Sequence, residues 1–273
     1  MAKKRVVITG DPHCGHHSGL TPPSWWLNPS PIDGEAEPTR RRRQKWGTLQ
    51  RECWGWTMKQ FARLQPIDLL IVAGDCIEGK GARSGGTELL TADRNDQVDM
   101  ACEVIRRAKA KKVAMVRGTG YHDGQDDDWE DQNAERVGAS IGDHEWYEVN
   151  GVVLDVKHHI GSSSIPHGRA TPILRDGLWN AVWHEHEEQP RGDILIRAHV
   201  HYHVYTGGIR AGRPWLAMTL PALQGMGSKY GARRCSGHVD FGFVHFDIDA
   251  HGGWQWQSHV AVIQAQKAQT LKF

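Results

Sequence analysis

Five short apolar runs in this chain each end in residues that can bind a metal ion. The runs cover residues 6–8, 68–73, 113–116, 152–156 and 194–196, and they lead into polar segments at 9–13, 74–75, 118–123, 157–159 and 198–201. Short β-branched runs bounded by Gly or Asp are typical of buried strands. We therefore predict five strands, each followed directly by a polar, chemically capable loop.

Helical patterns lie between these runs, at residues 46–64, 96–110, 129–137 and 174–188. Alternating strands and helices predict an α/β protein built on a layered sheet. In such sheets ligands bind at the carboxyl ends of the strands. The five polar segments all stand at that end, so we expect them to meet in space.

The last third of the chain is expected to be rich in β-structure, at about 200–265. Residues 202–206, 215–219, 238–247 and 254–263 have the pattern of antiparallel strands, with turns expected at Gly207-Gly208 and Gly252-Gly253. The Pro-rich stretch at about 18–45 shows no periodicity before its end and predicts a long surface loop. We expect a single domain over residues 1–273.

Composition excludes several classes of protein. Lys plus Arg total 33 and Asp plus Glu total 32, and this balance excludes a strongly basic nucleic-acid coat protein. The five Cys show no CxxC spacing, so neither a disulfide framework nor a zinc ribbon is indicated. The apolar run at 6–8 is too short for a signal peptide, and no stretch approaches the ~20 apolar residues of a membrane span. These features predict a cytoplasmic protein without a membrane partner.

The polar segments carry a set of metal-binding residue types. Asp11 and His13 lie two residues apart, Asp75 ends the next strand, and His199 and His201 repeat the two-residue spacing. Carboxylate and imidazole together suit borderline divalent metals such as Mn, Fe or Zn. A carboxylate can also bridge two ions ~3.5–4 Å apart. The order of these motifs along the chain predicts a two-metal site.

In these motifs the chain resembles the calcineurin-like metallophosphoesterase superfamily, over residues 6 to about 203. The resemblance implies two mixed β-sheets packed as a sandwich flanked by helices, with two metals at the strand ends. Manganese is the expected ion, and iron, zinc or nickel are the alternatives. By the same resemblance Asp11, His13 and His201 would bind the first metal, and Asp75 would bridge both. His199 and one of His158 and His159 would bind the second.

One motif departs from the family pattern. The family has Gly-Asn-His, with Asn as a ligand of the second metal, whereas this chain has the segment Gly118-Thr119-Gly120-Tyr121-His122. The Thr119 hydroxyl is a candidate replacement and a weaker ligand, so we expect a looser second metal site. His122 matches the family's catalytic His, and Asp123 would orient its ring.

The resemblance implies a metal-dependent phosphoesterase that uses a metal-activated hydroxide. A phosphodiesterase or nuclease is the leading interpretation, with a phosphodiester, including DNA or RNA, as substrate. Its basis is the basic run at 40–43 with Lys45 and the neighbouring Trp25, Trp26 and Trp46, which could hold a nucleic-acid backbone and stack a base. The alternative is a solvated helix start with the Trp residues packed in the core. A phosphomonoesterase and a non-catalytic scaffold on a degraded phosphoesterase fold remain alternatives for the whole chain.

Overall fold

Two β-sheets and their covering helices make up the described part of the chain. The computed structural model describes residues 2–28, 30–123, 128–210, 212–226, 238–267 and 270. The helices are α1 (Glu37–Arg63), α2 (Arg94–Arg107), α3 (Gly120–Asp123), α4 (Trp129–Val137) and α5 (Thr171–Glu185). The strands are β1 (Lys4–Thr9), β2 (Leu69–Ala73), β3 (Lys112–Val116), β4 (Ser140–Gly142), β5 (His144–Val149), β6 (Val152–Lys157), β7 (Ile194–Arg197), β8 (Val204–Arg210), β9 (Arg213–Thr219), β10 (Phe241–Ile248) and β11 (Trp254–Ala261).

Both sheets are mixed. The first has the order β11-β10-β1-β2-β3-β4. Strands β1 to β4 are parallel to one another, and β10 runs antiparallel to both of its neighbours, β1 and β11. The second has the order β5-β6-β7-β9-β8, with β6, β7 and β9 parallel between antiparallel edge strands. The predicted α/β class, with two mixed sheets flanked by helices, is confirmed.

Strand alternation divides the core into layers. Val6 and Ile8 of β1 point between the sheets, where they meet Leu154 and Ile196 of the second sheet. Val7 points the other way and packs in the layer formed with α1 and α2. Successive side chains of a strand face opposite sides. The central residues of the parallel strands are therefore mostly apolar on both faces, with Asp155 of β6 as an exception, and the candidate site residues follow at the carboxyl ends.

The structure corrects the predicted loop at 18–45. Helix α1 begins at Glu37, nine residues before the predicted start, with Pro38 in its first turn. Glu37 pairs with Arg41 at 2.7 Å and also with Arg40, and such i,i+3 and i,i+4 pairs stabilise a helix without apolar periodicity. Leu20 at the start of the segment is buried, so that part is not a surface loop.

Two further details of the β-structure, the glycine pair and strand β5, differ from expectation. Gly207 and Gly208 lie inside β8, opposite Leu216 and Trp215, rather than in a turn. The last two strands join the first sheet, whereas β8 and β9 join the second. The half-buried strand β5 was not predicted, because its sequence His-Glu-Trp-Tyr-Glu-Val has few aliphatic residues. None of the helices in the described residues is long and apolar enough to cross a membrane.

A buried ion-pair network lies behind the second sheet. The carboxylate of Asp155 accepts hydrogen bonds from His144 Nε2 at 2.8 Å, Arg197 Nη1 at 2.8 Å and Asn180 Nδ2 at 3.1 Å. Arg197 Nε also donates to Asp176 Oδ2 at 2.7 Å. Asp155 and Arg197 are 0% and 2% exposed. The network fixes the strands that precede His158 and His199.

Removing one partner of this network should destabilise the fold strongly. We expect Asp155→Ala to lower the free energy of unfolding by ~3–5 kcal/mol, because the buried Arg197 charge would lose one of its two counter-ions and His144 and Asn180 would lose their acceptor. Urea titration followed by circular dichroism measures the loss. Glu103→Ala, which removes the partly exposed pair with Arg107, should cost less than about 1 kcal/mol. Similar losses in the two variants would contradict the assigned role of the network.

A histidine pair on the first sheet should make stability depend on pH. His245 Nδ1 and His259 Nε2 lie 2.8 Å apart. Burial, reinforced by His245, lowers the pKa of His259 to about 4, and burial also lowers the pKa of His245. The unfolded chain takes up protons near the ordinary histidine pKa of ~6.5, whereas the folded chain takes them up only at lower pH. Stability is therefore lost as the pH falls from about 6.5 towards 4.

Replacement of His259 should reduce that loss. We expect His259→Gln to flatten the decline in unfolding free energy between pH 7 and pH 4.5 by on the order of 1 kcal/mol, after allowance for solvent screening. Paired urea titrations at the two pH values measure the difference. His251→Gln, at an exposed turn position, should leave the wild-type decline unchanged. An equally steep decline in His259→Gln would show that other groups cause it.

Candidate metal centre

The polar segments after five strands meet at one edge of the two sheets. Asp11 and His13 follow β1, Asp75 follows β2, and His122 lies beyond β3. In the second sheet, His158 follows β6, and His199 and His201 follow β7. Backbone hydrogen bonds from Asp11 N to Gly74 O and from Ala198 N to His158 O, at 3.0 and 2.9 Å, join neighbouring segments. The convergence predicted from the strand pattern is present.

Several site residues in these segments share a left-handed backbone conformation. Eight non-glycine residues of the described chain have positive φ, and five of them are Asp11, His13, Asp75, His199 and His201. A left-handed conformation at a residue other than glycine costs energy and persists only where the surroundings impose it. The Asp-x-His and His-x-His motifs adopt it at both of their outer positions. Such outliers cluster at binding and catalytic sites.

Two glycines allow the first sheet's segments to approach each other. Gly74 has φ +77°, and a Cβ there would lie 2.7 Å from His158 Nδ1. A Cβ on Gly118 would overlap the carboxylate of Asp75. The glycines that flank Asp75 are thus required for its position beside His158.

A first group of donors consists of Asp11, His13 and His201. His201 Nε2 lies 3.1 Å from Asp11 Oδ1 and 3.2 Å from His13 Nε2. His13 Nε2 lies 3.9 Å from Asp11 Oδ1 and 3.8 Å from Asp75 Oδ2. One donor atom of each residue lies within 4.8 Å of the others. These spacings suit three side chains around one ion.

A second group consists of Asp75, His158 and His199, whose donor atoms also lie within 4.8 Å of one another. His158 Nε2 is 3.1 Å from Asp75 Oδ2 and 4.0 Å from Asp11 Oδ1. A further group joins Asp75 to His13 and His122. Asp75 therefore belongs to two groups and contacts the third through His13, as a bridging carboxylate would.

The hydrogen-bonding state of the donors fits a bound cation. Asp11 Oδ1 and His158 Nε2 are buried, and neither has a hydrogen-bond partner within the described residues. His158 Nδ1 lies 2.6 Å from the Ala73 carbonyl oxygen, and His13 Nδ1 lies 2.9 Å from Glu78 Oε2. A carbonyl oxygen can only accept, so Nδ1 of His158 carries its proton. Nε2 is then directed into the site, where loss of its proton would free a lone pair for a cation, as in metal-binding histidines.

The electrostatics of the site favour ionised carboxylates. Burial by itself would raise the pKa of Asp75, but His158, His13 and His122 outweigh it and hold that pKa well below its usual range. Burial by itself would lower the pKa of His158, but the negative charges of Asp75 and Asp11 outweigh it and raise that pKa to about 10. Burial and the neighbouring His158 lower the pKa of His199 to about 4. A cation that binds here displaces protons from His158, so its affinity should rise with pH.

His122 is held beside the carboxylates. Its Nδ1 lies 2.9 Å from the Glu78 carbonyl oxygen and 3.6 Å from Glu78 Oε2, and its Nε2 lies 3.9 Å from Asp75 Oδ2. Burial and the neighbouring His13 lower its pKa, which favours the neutral ring. The Glu78 carboxylate lies beside this ring. The side chain of Asp123 lies outside the described residues.

Two predicted ligands have other contacts. The Thr119 hydroxyl donates to Asp75 Oδ1 at 3.0 Å, and the Thr119 amide donates to the same oxygen at 2.7 Å. Thr119 thus orients Asp75, and no contact supports it as a ligand. His159 is exposed, with its ring 4.8 Å from that of His199, whereas His158 is 1% exposed. The geometry favours His158 over His159 as the donor of the second group.

Glu130 is a supporting residue that the sequence did not reveal. It is 1% exposed, and it accepts hydrogen bonds from Cys76 N at 2.6 Å and Gly118 N at 2.5 Å. Burial, with the nearby charge of Asp75, raises its pKa to about 7. Glu130 therefore joins the two loops that carry Asp75 and Thr119.

We expect Glu130→Gln to loosen these loops. The two carboxylate oxygens of Glu130 each accept one backbone N–H, whereas a carboxamide has a single oxygen. One N–H would therefore lose its acceptor, which costs ~1–3 kcal/mol of stability. Metal affinity, measured by isothermal titration with Mn²⁺, should fall ~10–100-fold, as for other residues behind a metal site. Glu135→Gln, on an exposed position of α4, is the matched control. Unchanged affinity in Glu130→Gln would remove this role.

Comparisons with known proteins concern the fold. No family model and no curated protein sequence matches the chain. Among solved structures, purple acid phosphatase PPD1 from yellow lupin seeds is similar, with a TM-score of 0.53 and 12% identity over 95% of this chain and 52% of that one. This chain thus spans about half of the phosphatase chain. Vps29 of Entamoeba histolytica, solved with Zn²⁺, has a TM-score of 0.42 and 15% identity over 94% of this chain and 98% of that one. An archaeal phosphodiesterase has a TM-score of 0.42 and 10% identity over 93% and 99%.

The two mixed sheets, their flanking helices and the likeness to the lupin phosphatase identify the architecture. The chain has the calcineurin-like metallophosphoesterase fold, as the sequence motifs predicted. At 12% identity the likeness concerns the fold and not the activity.

Proposed function

We propose that this protein is a divalent-metal-dependent phosphoesterase. The observation that carries the proposal is a set of three adjoining donor groups, two of which share Asp75. Two buried polar atoms of this set, Asp11 Oδ1 and His158 Nε2, have no hydrogen-bond partner within the described residues. Asp11, His13 and His201 would hold one cation, His158 and His199 a second, and Asp75 both. Bound cations would supply Lewis acidity for the phosphoryl group and lower the pKa of a coordinated water.

The chain's own residues then have distinct tasks. Asp75 is kept ionised by its histidine neighbours, so it carries the negative charge that a bridging ligand needs. His122 is fixed through Nδ1 by the Glu78 carbonyl oxygen, which directs Nε2 towards Asp75 and the groups around it. In the neutral ring Nε2 can accept a proton, and once protonated there the ring could deliver that proton to a leaving oxygen or stabilise developing charge.

A diester, including a nucleic acid, is the substrate class that we propose. Trp46 of α1 packs against His17, with ring centres 4.2 Å apart, and His17 lies in the loop that follows His13. The basic start of α1 therefore adjoins the loop beside the metal centre. Arg41, Arg42 and Lys45 are exposed there, although Arg40, Arg41 and Arg43 also form local ion pairs with Glu37 or Glu35.

Two model esters test the proposal. The purified protein, stripped of metal and supplied with Mn²⁺, should hydrolyse bis(p-nitrophenyl) phosphate faster than p-nitrophenyl phosphate. Faster cleavage of the monoester would favour a phosphomonoesterase. No bound metal and no turnover with Mn²⁺, Fe²⁺, Zn²⁺ or Ni²⁺ would favour a scaffold protein, which the missing family Asn makes a real alternative. A nucleic-acid substrate further predicts binding that weakens steeply with salt.

A further inference from the structure

Helix α5 carries an unusual apolar surface on its outer side. Its buried face, with Pro172, Ile173, Gly177 and Asn180, covers the second sheet. The opposite side exposes five large apolar side chains: Leu174 at 45%, Leu178 at 62%, Trp179 at 53%, Val182 at 36% and Trp183 at 38%. We call these five residues the α5 stripe.

The α5 stripe is continuous along the helix. Its members form two rows in which successive residues are four apart, and such positions lie on one side of an α-helix. The rows are Leu174-Leu178-Val182 and Trp179-Trp183. The rings of Trp179 and Trp183 have centres 6.4 Å apart. Single exposed apolar side chains need no explanation, but a contiguous patch of this kind marks an interaction surface.

Charge at the two ends of the helix indicates what covers the stripe. Arg175 is exposed near the amino end, and Glu185, Glu187 and Glu188 are exposed at or beyond the carboxyl end. Within the chain as described, Arg175 and Glu185 form no ion pair with each other or with another residue. The surface is therefore apolar along its length, basic at one end and acidic at the other.

This arrangement is complementary to itself when two helices pair antiparallel. Arg175 and Glu185 are ten residues apart, which is about 15 Å along a helix. A two-fold axis near Asn180 would place each Arg175 opposite the other copy's Glu185, and each Leu178 opposite the other copy's Val182. A two-fold interface requires this kind of self-complementary patch.

We propose that the α5 stripe is the interface of a homodimer with antiparallel α5 helices. One helix face is smaller than the about 800 Å² per partner of a standard stable interface. The expected dissociation constant is therefore in the micromolar range. The proposal does not depend on the phosphoesterase activity.

Sedimentation equilibrium from about 1 to 200 µM tests the proposal. The mass of the wild type should rise from that of the 30.6 kDa chain towards twice that value. Leu178→Glu should remain monomeric throughout, because it would bury a charge at the centre of the interface. Ile209→Ser, at a β8 residue that is 75% exposed, should associate like the wild type. A wild type that stays monomeric at 200 µM would overturn the proposal.

A charge exchange tests the antiparallel arrangement. Arg175→Glu and Glu185→Arg should each weaken association at least about tenfold, since like charges would then face each other. The double variant with both changes should recover most of the wild-type affinity. Association that is unaffected by the single changes, or not recovered in the double variant, would exclude this pairing. Arg175, Leu178, Glu185 and Ile209 are all exposed. Circular dichroism should therefore show an unchanged fold in every variant used in these two tests.

Discussion

Asp75→Asn should abolish hydrolysis and remove most of the bound metal. Asp75 belongs to two of the three donor groups, and a carboxamide offers one oxygen and no negative charge where the proposed cations would need an anionic bridge. Loss of several kcal/mol of charge stabilisation corresponds to a fall in kcat/KM of ~10³-fold or more. Metal content after Mn²⁺ loading, measured by inductively coupled plasma mass spectrometry, and turnover of bis(p-nitrophenyl) phosphate check both parts.

The control for this variant is Asp68→Asn. Asp68 pairs with Lys111 at 2.8 Å and lies just before β2, at the opposite end of that strand from Asp75. Its loss should therefore leave metal content and turnover at the wild-type level. Circular dichroism of the metal-free proteins separates loss of metal from loss of fold. Full metal content together with wild-type turnover in Asp75→Asn would refute the bridging role.

His122→Gln should reduce kcat by ~10²–10⁴-fold and leave the metal content unchanged. The side chain lies at the edge of the donor groups, with Nε2 3.9 Å from Asp75 Oδ2, and its place is fixed by the Glu78 carbonyl oxygen. Glutamine can keep that hydrogen bond but cannot exchange a proton near neutral pH. Stopped-assay kinetics with the diester, alongside metal analysis, measure the two quantities on the same sample.

An exposed histidine provides the comparison. His167 is exposed and lies in the segment before α5. The variant His167→Gln should match the wild type in both rate and metal content. If His122→Gln instead lost its metal, the residue would be a ligand and not a proton donor. If it kept the wild-type rate, His122 would have no part in the chemistry.

The fold and most of the site could be predicted from local patterns. Buried parallel strands are apolar along their length, so a polar residue directly after such a strand is conspicuous, and parallel topology brings those ends together. That reasoning placed Asp11, Asp75 and His199 at one sheet edge. The reasoning works where an apolar run ends abruptly at a Gly or a polar residue, because the end of the strand can then be located in the sequence.

Other details depend on contacts that a local pattern does not contain. His158 and His159 both follow β6, and only the approach of the Ala73 carbonyl oxygen shows that His158 points inwards. Glu130 contacts the site from α4, far along the chain from its backbone partners. Glu78 was also missed, although its place three residues after Asp75 puts it in the same loop and could have suggested it. Gly207 and Gly208 were misplaced because paired glycines are more typical of turns than of strands.

The pairing of β1 with β10 has a consequence for biosynthesis. Residues 4–8 hydrogen-bond to residues 244–248, so one side of β1 has no partner until β10 has been synthesised. Contacts of such long sequence separation form slowly, and an unpaired strand edge promotes aggregation. His199 and His201 are made after the other donors, so the donor set is complete only once the segment after β7 has been synthesised. Nascent chains that stall before residue 241 should therefore need chaperone protection.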